Sequence, residues 1–309
     1  MKICSAIALA AMLIALPLFA GEFYVNLSTQ VLIAVVFAAS LNLLVGYGGM
    51  TSLGHASYMG LAAYTVAILT TRYGASQGAA AITAVLGTTV LAGLFGLIAL
   101  RATGLSFLMI TLAISQVLWG LAFRTASLTN GDNGITGITR PTPFGISLES
   151  AASFYWFTLL VAGISLAAMA TFVLSTFGSS LMGVRDQPRR MAALGYNPWL
   201  IRWITFVYAG LWAGIAGLLY IYYHKYIHPS MLSITNSAEG LLGVIAGGSG
   251  TLGGPVVGAA LVSLLKNYAS AYVERWNMLL GAVFLLIVLM MPSGIVPGAR
   301  RMLSHLRKS

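Results

Sequence analysis

Charge is scarce in this chain. Only 7% of its 309 residues are Asp, Glu, Lys or Arg, whereas 59% are hydrophobic, and soluble domains run near ~25% charged. With a mean hydropathy of +0.90, this excludes a soluble domain and points to an all-α, polytopic membrane protein. Cysteine is nearly missing. Cys4 stands alone, which excludes disulfides, thiolate metal sites and redox pairs within one chain. No G-x-x-x-x-G-K-[ST] phosphate loop occurs, so the chain is not its own P-loop ATPase. Acids number six: Glu22, Asp132, Glu149, Asp186, Glu239 and Glu274. None sits in the middle of an uninterrupted apolar run, whereas ion-coupled carriers usually hold an intramembrane carboxylate. Glu239, at the head of a broken apolar segment, is the one acid left for that role. No paired acids and no nucleophile–base set suggest an enzyme. His224 and His228 have helical i,i+4 spacing but no third ligand beside them, and read as part of an interfacial belt with Tyr220, Tyr222, Tyr223 and Tyr226. No metal site is expected.

What the chain has is apolar runs. Windows of about 20 residues are the unit that crosses a membrane, and they fall at 3–20, 27–45, 56–71, 79–100, 104–123, 153–177, 203–222 and 277–291. Met1-Lys2 and the run to Ala20 resemble a signal peptide, but the run is long and Leu18 is a poor residue before a cleavage point, so an uncleaved first span is expected. Ser237–Lys266 is apolar but interrupted at Gly247-Gly-Ser-Gly250-Thr-Leu-Gly253-Gly-Pro255. Its halves are either two short tilted helices or a pair dipping in from one face. The expectation is one domain, 1–309, of about eight to ten transmembrane helices with broken or re-entrant segments. The net charge of +10 reads as Lys and Arg retained on the cytoplasmic side rather than as a nucleic-acid footprint. Counting spans places Lys2, Arg101, Arg185, Arg189, Arg190, Arg202, Arg300, Arg301, Arg307 and Lys308 on one side, ten against six on the other. Both termini, a loop at 178–202 and a tail at 298–309 are then cytoplasmic, and a loop at 124–152 is external.

The most unusual segment is Gly46-Tyr-Gly-Gly-Met-Thr-Ser-Leu-Gly-His55-Ala-Ser-Tyr58-Met-Gly60. A lipid-facing helix has no use for these glycines, hydroxyls and imidazole. Non-helical backbone at membrane depth is tolerated only where protein or a water-filled cavity covers it. Gly46, Gly48, Gly49, Ser52, Gly54 and His55 are therefore pathway or hinge candidates. Gly247, Gly248, Gly250 and Gly253 join them, because Gly48–Gly54 and Gly247–Gly253 share the pattern Gly-Gly-x-x-Ser/Thr-Leu-Gly, a possible internal repeat. His55 and Ser52 each read either as a pathway group or as a group bonding free backbone at a helix start. Gln116, a further pathway candidate, and Asn42 lie within apolar spans and need hydrogen-bond partners.

Gly183–Arg202 differs from the rest. Asp186 near an N-terminus, Pro188 in the first turn and Gly195 as a stop predict a short basic amphipathic helix over 186–195. It is either a charged loop that fixes topology or a docking element for a soluble partner.

Together these residues resemble the permease subunits of ABC importers for branched-chain amino acids, in particular the LivM-type branch. Tyr47–Gly60 is similar to that family's G-Y-x-G-x-x-S-L-G-H-A-x-F/Y-x-G signature, Gly104–Gln116 to its fifth span, Gly131-Asp-Asn-Gly134-Ile to its external glycine loop, and Gly247–Pro255 with Pro292-Ser-Gly294-Ile to its C-terminal pattern. Arg185-Asp186 followed by Ala193-Leu-Gly195-Tyr-Asn197 resembles the loop that docks on the ATPase; Pro188 stands where the family usually carries an acid. The resemblance covers roughly 27–297. It implies the ABC importer permease fold in a bacterial inner membrane. It implies two ATP-binding subunits, a second homologous permease subunit and a periplasmic binding protein as partners, and no nucleic acid. The chain itself would be non-catalytic and hold no cofactor, ATP and Mg²⁺ being bound by the ATPase. Arg185, Asp186, Arg189, Arg190, Ala193, Leu194 and Gly195 would dock the ATPase, and Gly131, Asp132 and Gly134 would face the binding protein. Substrates associated with the family are leucine, isoleucine, valine and other amino acids, and also urea and short amides. The alternative from another class is a self-contained facilitator that needs no ATPase.

Overall fold

Small side chains recur every fourth residue along one apolar helix, and they explain how the chain is assembled. In the helix Gln77–Ala99, Ala80, Ala84, Thr88, Ala92 and Gly96 are buried, whereas Ile82, Leu86, Val90 and Leu94 on the other side are exposed. Lipid is as apolar as leucine, so large aliphatic groups gain nothing by leaving it. Small ones let helices approach closely and gain dispersion contacts. The small stripe receives the long helix Pro198–His224: Ala92 packs on Gly210, and Thr88 packs on Gly214.

The computed structural model describes residues 12–145, 147–272, 276–291 and 293–306. The run proposed as a first span lies largely outside the described residues, apart from a helical stretch at 12–19. The helices that follow are α1 Glu22–Asn42, α2 His55–Arg72, α3 Gln77–Ala99, α4 Leu105–Arg124, α5 Ala151–Leu174, α6 Thr176–Asp186, α7 Pro188–Ala193, α8 Pro198–His224, α9 Ile234–Gly247, α10 Gly254–Tyr272, α11 Trp276–Met290 and α12 Ile295–Leu306. Two short strands, β1 Ile135–Thr136 and β2 Tyr226–Ile227, pair antiparallel. Five helices among the described residues are long and apolar enough to cross a membrane: α1 with its extension to Tyr47, α3, α4, α5 and α8. In α1 and α8, 72% and 61% of the most apolar stretch is buried inside the chain, against 28% in each of α3, α4 and α5. The first two form the centre, with α2 and the α9–α10 pair packed on them, and the other three form the rim.

Contacts along the bundle define two ends. Arg72 with Asn130, Gln77 with Thr139, and Lys225 with Glu149 gather the α2–α3 turn, the 125–150 loop and the α8 exit at one end. Gly46, Arg185 and Gly250 meet at the other. We call these the loop end and the break end. The segment Ser237–Lys266 resolves as a hairpin: α9 runs from the loop end, turns at 248–253 at the break end, and α10 returns. Gly243 and Gly247 of α9 lie against Gly258 and Gly254 of α10, backbone on backbone.

The expected helix over 186–195 takes a different form. Ser175 caps α6, accepting from Gly178 N–H at 3.3 Å, and α6 runs on through Asp186. Asp186 therefore ends a helix rather than beginning one. Pro188, which has no N–H to continue the ladder, opens α7 instead. Gly195, at φ +90°, stops it. Asn197 then caps α8 by accepting from Leu200 N–H at 3.1 Å.

Candidate functional site

At the break end, α1 finishes in a π turn, Leu43–Tyr47, and the chain leaves helical form. It folds back rather than continuing: His55, the first residue of α2, lies beside Ser40, with Nε2 to Oγ at 2.8 Å. Tyr47 lies seven helical steps beyond Ser40, so residues 48–54 climb back by about 10 Å inside the bundle. Protein covers them. Gly48 N–H and Met50 N–H bond Leu43 O and Leu44 O, Leu53 N–H donates to Thr111 Oγ1 at 3.3 Å, and Ala56 N–H donates to Ser237 Oγ at 3.1 Å. Gly54 is the cap residue of α2, and neither Ser52 nor His55 caps that helix through its side chain. Ser52 Oγ accepts from Gly54 N–H instead. His55 is fully buried between the rings of Phe37 and Tyr58.

The second break meets the first at this end. Asn42 Oδ1 accepts from Gly250 N–H at 2.9 Å, and Asn42 Nδ2 donates to Thr251 O at 3.0 Å. A side chain on Gly46 would collide with the Gly250 backbone. Arg185 closes the junction. Its Nη1 donates to Gly46 O at 2.6 Å, and its aliphatic stem lies on Gly49. Its Nε bonds Asp186 Oδ1 at 2.8 Å, which holds that carboxyl below the usual carboxylate range. Arg185 is thus turned inward onto the breaks, while α7 beyond it has no buried residue and presents Arg189, Arg190, Ala193, Leu194 and Gly195 to solvent.

Above the junction is a cavity of about 420 Å³ between α1, α2, α8, α9 and α10. α1 serves as a ruler. Gln30 lines the cavity toward the loop end and Ala38 toward the break end, about 12 Å apart along the helix, and Gly46 follows about 12 Å further on. The walls change character along this length. Near Gln30 they are polar: Gln30 Nε2 donates to Tyr223 OH at 3.1 Å, Asn267 Nδ2 donates to Gln30 Oε1 at 2.9 Å, and Lys266 Nζ pairs with Glu239 Oε2 at 3.0 Å. Deeper they are apolar, with Ile33, Phe37, Met59 and Val262. In the sequence Glu239 stands as an isolated acid, and Lys266 lies 27 positions further on. The α9–α10 hairpin brings them together.

At the loop end, a second cavity of about 360 Å³ is lined by Gln116, Asp132 and His228 among others. Asp132 Oδ1 lies 3.3 Å from His228 Nε2. Gly131 and Gly134 flank Asp132 with positive φ, and Gly134 sits tight against the backbone of Ile227. Arg140, missed as an organiser, reaches the carbonyls of Tyr222, Leu148 and Glu149 and lies 4.3 Å over the Phe154 ring. Its charge among loop and helix-end carbonyls gave no sequence pattern to read. Among the described residues no group of three His, Cys, Asp or Glu is placed to hold a metal.

The family described as "branched-chain amino acid transport system / permease component" matches residues 23–289. The high-affinity branched-chain amino acid transport system permease protein LivM of Escherichia coli K12 is 24% identical over 317 residues, covering 95% of this chain and 75% of that protein. Its Salmonella typhimurium counterpart is also 24% identical, over 95% and 74%. The permease protein LivH of E. coli K12 is 22% identical over 56% of each chain. No solved structure matches. The fold, its buried breaks and these matches converge, and the chain belongs to the permease-component family of branched-chain amino acid transport systems.

Proposed function

We propose that this chain is one half of the translocation path of an ATP-driven importer for branched-chain or related amino acids. The single observation that carries the proposal is Arg185, at the end of the helix leading to the exposed, basic α7, bonded to Gly46 O in the junction of the two breaks. An element with no buried residue and an exposed basic face is thereby tied to the junction of the two breaks. A partner that moves α7 would pull on the junction, a rigid-body transmission of the kind that opens and closes packed interfaces. The partner we infer is an ATP-binding subunit holding ATP and Mg²⁺, with a second, LivH-like permease completing the path. The 125–150 loop, with Gly131, Asp132 and Gly134, would receive a periplasmic binding protein. This orients the loop end outward and both termini toward the cytoplasm of a bacterial inner membrane. The family match and the absence of a phosphate loop from the sequence support this division of labour. Glu239, paired with Lys266, is read as part of the path rather than as an ion-coupling acid.

Two experiments test it. Proteoliposomes with this chain, the second permease, the ATPase and the binding protein should import leucine only with ATP inside, and liposomes with this chain alone should not. Uptake by the chain alone would establish the facilitator reading, and uptake of urea or short amides in place of leucine would move the substrate class. Co-purification with the ATPase should survive in wild type and fail in Leu194→Glu with Arg189→Glu. Unchanged assembly in that variant would remove α7 as the docking element.

A further inference from the structure

Resting on the permease reading, we infer that the cavity between α1, α2, α8, α9 and α10 is a binding site for a zwitterionic α-amino acid, with Glu239 taking the ammonium and Lys266 the carboxylate. Three observations support it. First, the two charges face each other on the cavity wall at 3.0 Å, and Glu239 is 15% exposed while Lys266 is 44% exposed. A charge entering an apolar space needs a partner, and an amino acid brings two opposite charges one carbon apart. An ion pair that parts and takes one pole each replaces every lost partner with an equivalent one. Lys266 is the more exposed partner, so it is the one that swings away from Glu239 to meet the carboxylate.

Second, the polarity gradient fits one orientation. Beside the ion pair, Gln30 and Asn267 supply further polar groups, while Ile33, Phe37, Met59 and Val262 lie deeper, where an aliphatic side chain would sit. Third, the size suits a small ligand: about 420 Å³ falls within the usual ~300–1,000 Å³ of small-molecule pockets. A neutral amide has no charges with which to replace the parted pair, and a lone anion or cation satisfies only one pole. The site therefore favours amino acids over urea and short amides.

Cysteine protection tests this independently of transport. In a Cys4→Ser background, Ser263→Cys places a thiol on the cavity wall for labelling by a methanethiosulfonate in membranes containing the full chain. Millimolar leucine should slow labelling, while isoamylamine and isocaproate, its cationic and anionic halves, should not. Glu239→Gln or Lys266→Gln should raise the leucine concentration needed by about tenfold or more, and Glu239→Lys with Lys266→Glu should recover protection. An unaltered labelling rate without leucine shows that each variant keeps its fold. Ala34→Leu, which narrows the cavity, should weaken protection by leucine more than protection by alanine, a selectivity change that misfolding does not produce. No protection in the parent, equal protection in all variants, or equal protection by the two half-molecules would overturn the site. Protection that follows the predicted pattern in a chain whose full assembly fails to import leucine would uphold the site and sink the ATP-driven importer.

Discussion

The two glycine-rich breaks carry the same sequence pattern and much the same local design. In both, a helix running from the loop end stops, the second glycine takes positive φ (Gly49 at +64°, Gly248 at +114°), and a Leu-Gly pair precedes the next helix, which starts at His55 or Gly254. Ser52 and Thr251 occupy the same place in the pattern, and each accepts a backbone N–H at the turn's exit, from Gly54 and Gly254 respectively. Their surroundings differ. The first break climbs back into the bundle, where α4 and α9 satisfy its backbone. The second is a tight tip gripped from outside the hairpin by Asn42 and by the start of α12, where Gly294 and Pro297 lie against Gly248, while Arg185 bonds the first break at Gly46 O and touches Gly49. One break is embedded and the other is clamped.

The sharpest way to break this comparison is Gly46→Val. Its side chain meets the Gly250 backbone, which cannot yield as a side chain can, so the cost should exceed the ~1–3 kcal/mol usual for overpacking. Leucine uptake should vanish and the amount of folded chain in the membrane should fall, as seen by detergent-extraction chromatography. Gly253→Ala is the matched control in the clamped break. Its nearest new neighbour is Val296 Cγ1 at 3.9 Å, and uptake should stay near wild type.

Asn42→Leu comes next. It removes both side-chain bonds to the second break and leaves Gly250 N–H and Thr251 O to find other partners, at about 1–3 kcal/mol per buried group. Thermal unfolding in detergent should shift downward, and leucine uptake should drop severalfold. A smaller effect is expected from Thr251→Val, which takes away the acceptor for Gly254 N–H; loss of such a cap costs about 1 kcal/mol. The same unfolding assay should show Ser52→Ala, its counterpart in the embedded break, to be milder still, because its bond to Gly54 is longer.

The smallest effect lies away from both breaks. The Lys225 ammonium, hydrogen-bonded at 2.6 Å, holds the Glu149 carboxyl below its ordinary range. A lowered folded pKa means that the pair's contribution is present above the ordinary carboxylate pKa and is lost as pH falls through the lowered value. Both side chains are about half exposed, so the contribution is at most ~1 kcal/mol. Acid should therefore cost wild type slightly more stability than Glu149→Gln in a pH series of melting curves, with no change in the leucine protection described above.

Much of the fold was legible in the sequence because lipid imposes length and composition on every span. The apolar windows at 27–45, 79–100, 104–123 and 203–222 correspond to helices within a few residues. Both breaks were legible too, since glycine clusters have no place facing lipid. What escaped were contacts between parts far apart in the chain. Arg185 reaches Gly46 across 139 positions, and nothing in its local sequence distinguishes it from the outward-facing Arg189 and Arg190. Pro188 does mark a helix start, but Asp186 ends the helix before it, whose cap at Ser175 lies eleven positions upstream. Glu239 and Lys266 become partners only once the turn at 248–253 sets the register of α9 against α10.

The most direct test of the link between α7 and the breaks is Arg185→Gln in the reconstituted assembly, with ATP hydrolysis and leucine uptake measured on the same proteoliposomes. If Arg185 carries motion from the docking helix to the junction, hydrolysis stimulated by the loaded binding protein continues while leucine imported per ATP falls about tenfold. Wild-type uptake per ATP in Arg185→Gln would contradict that role.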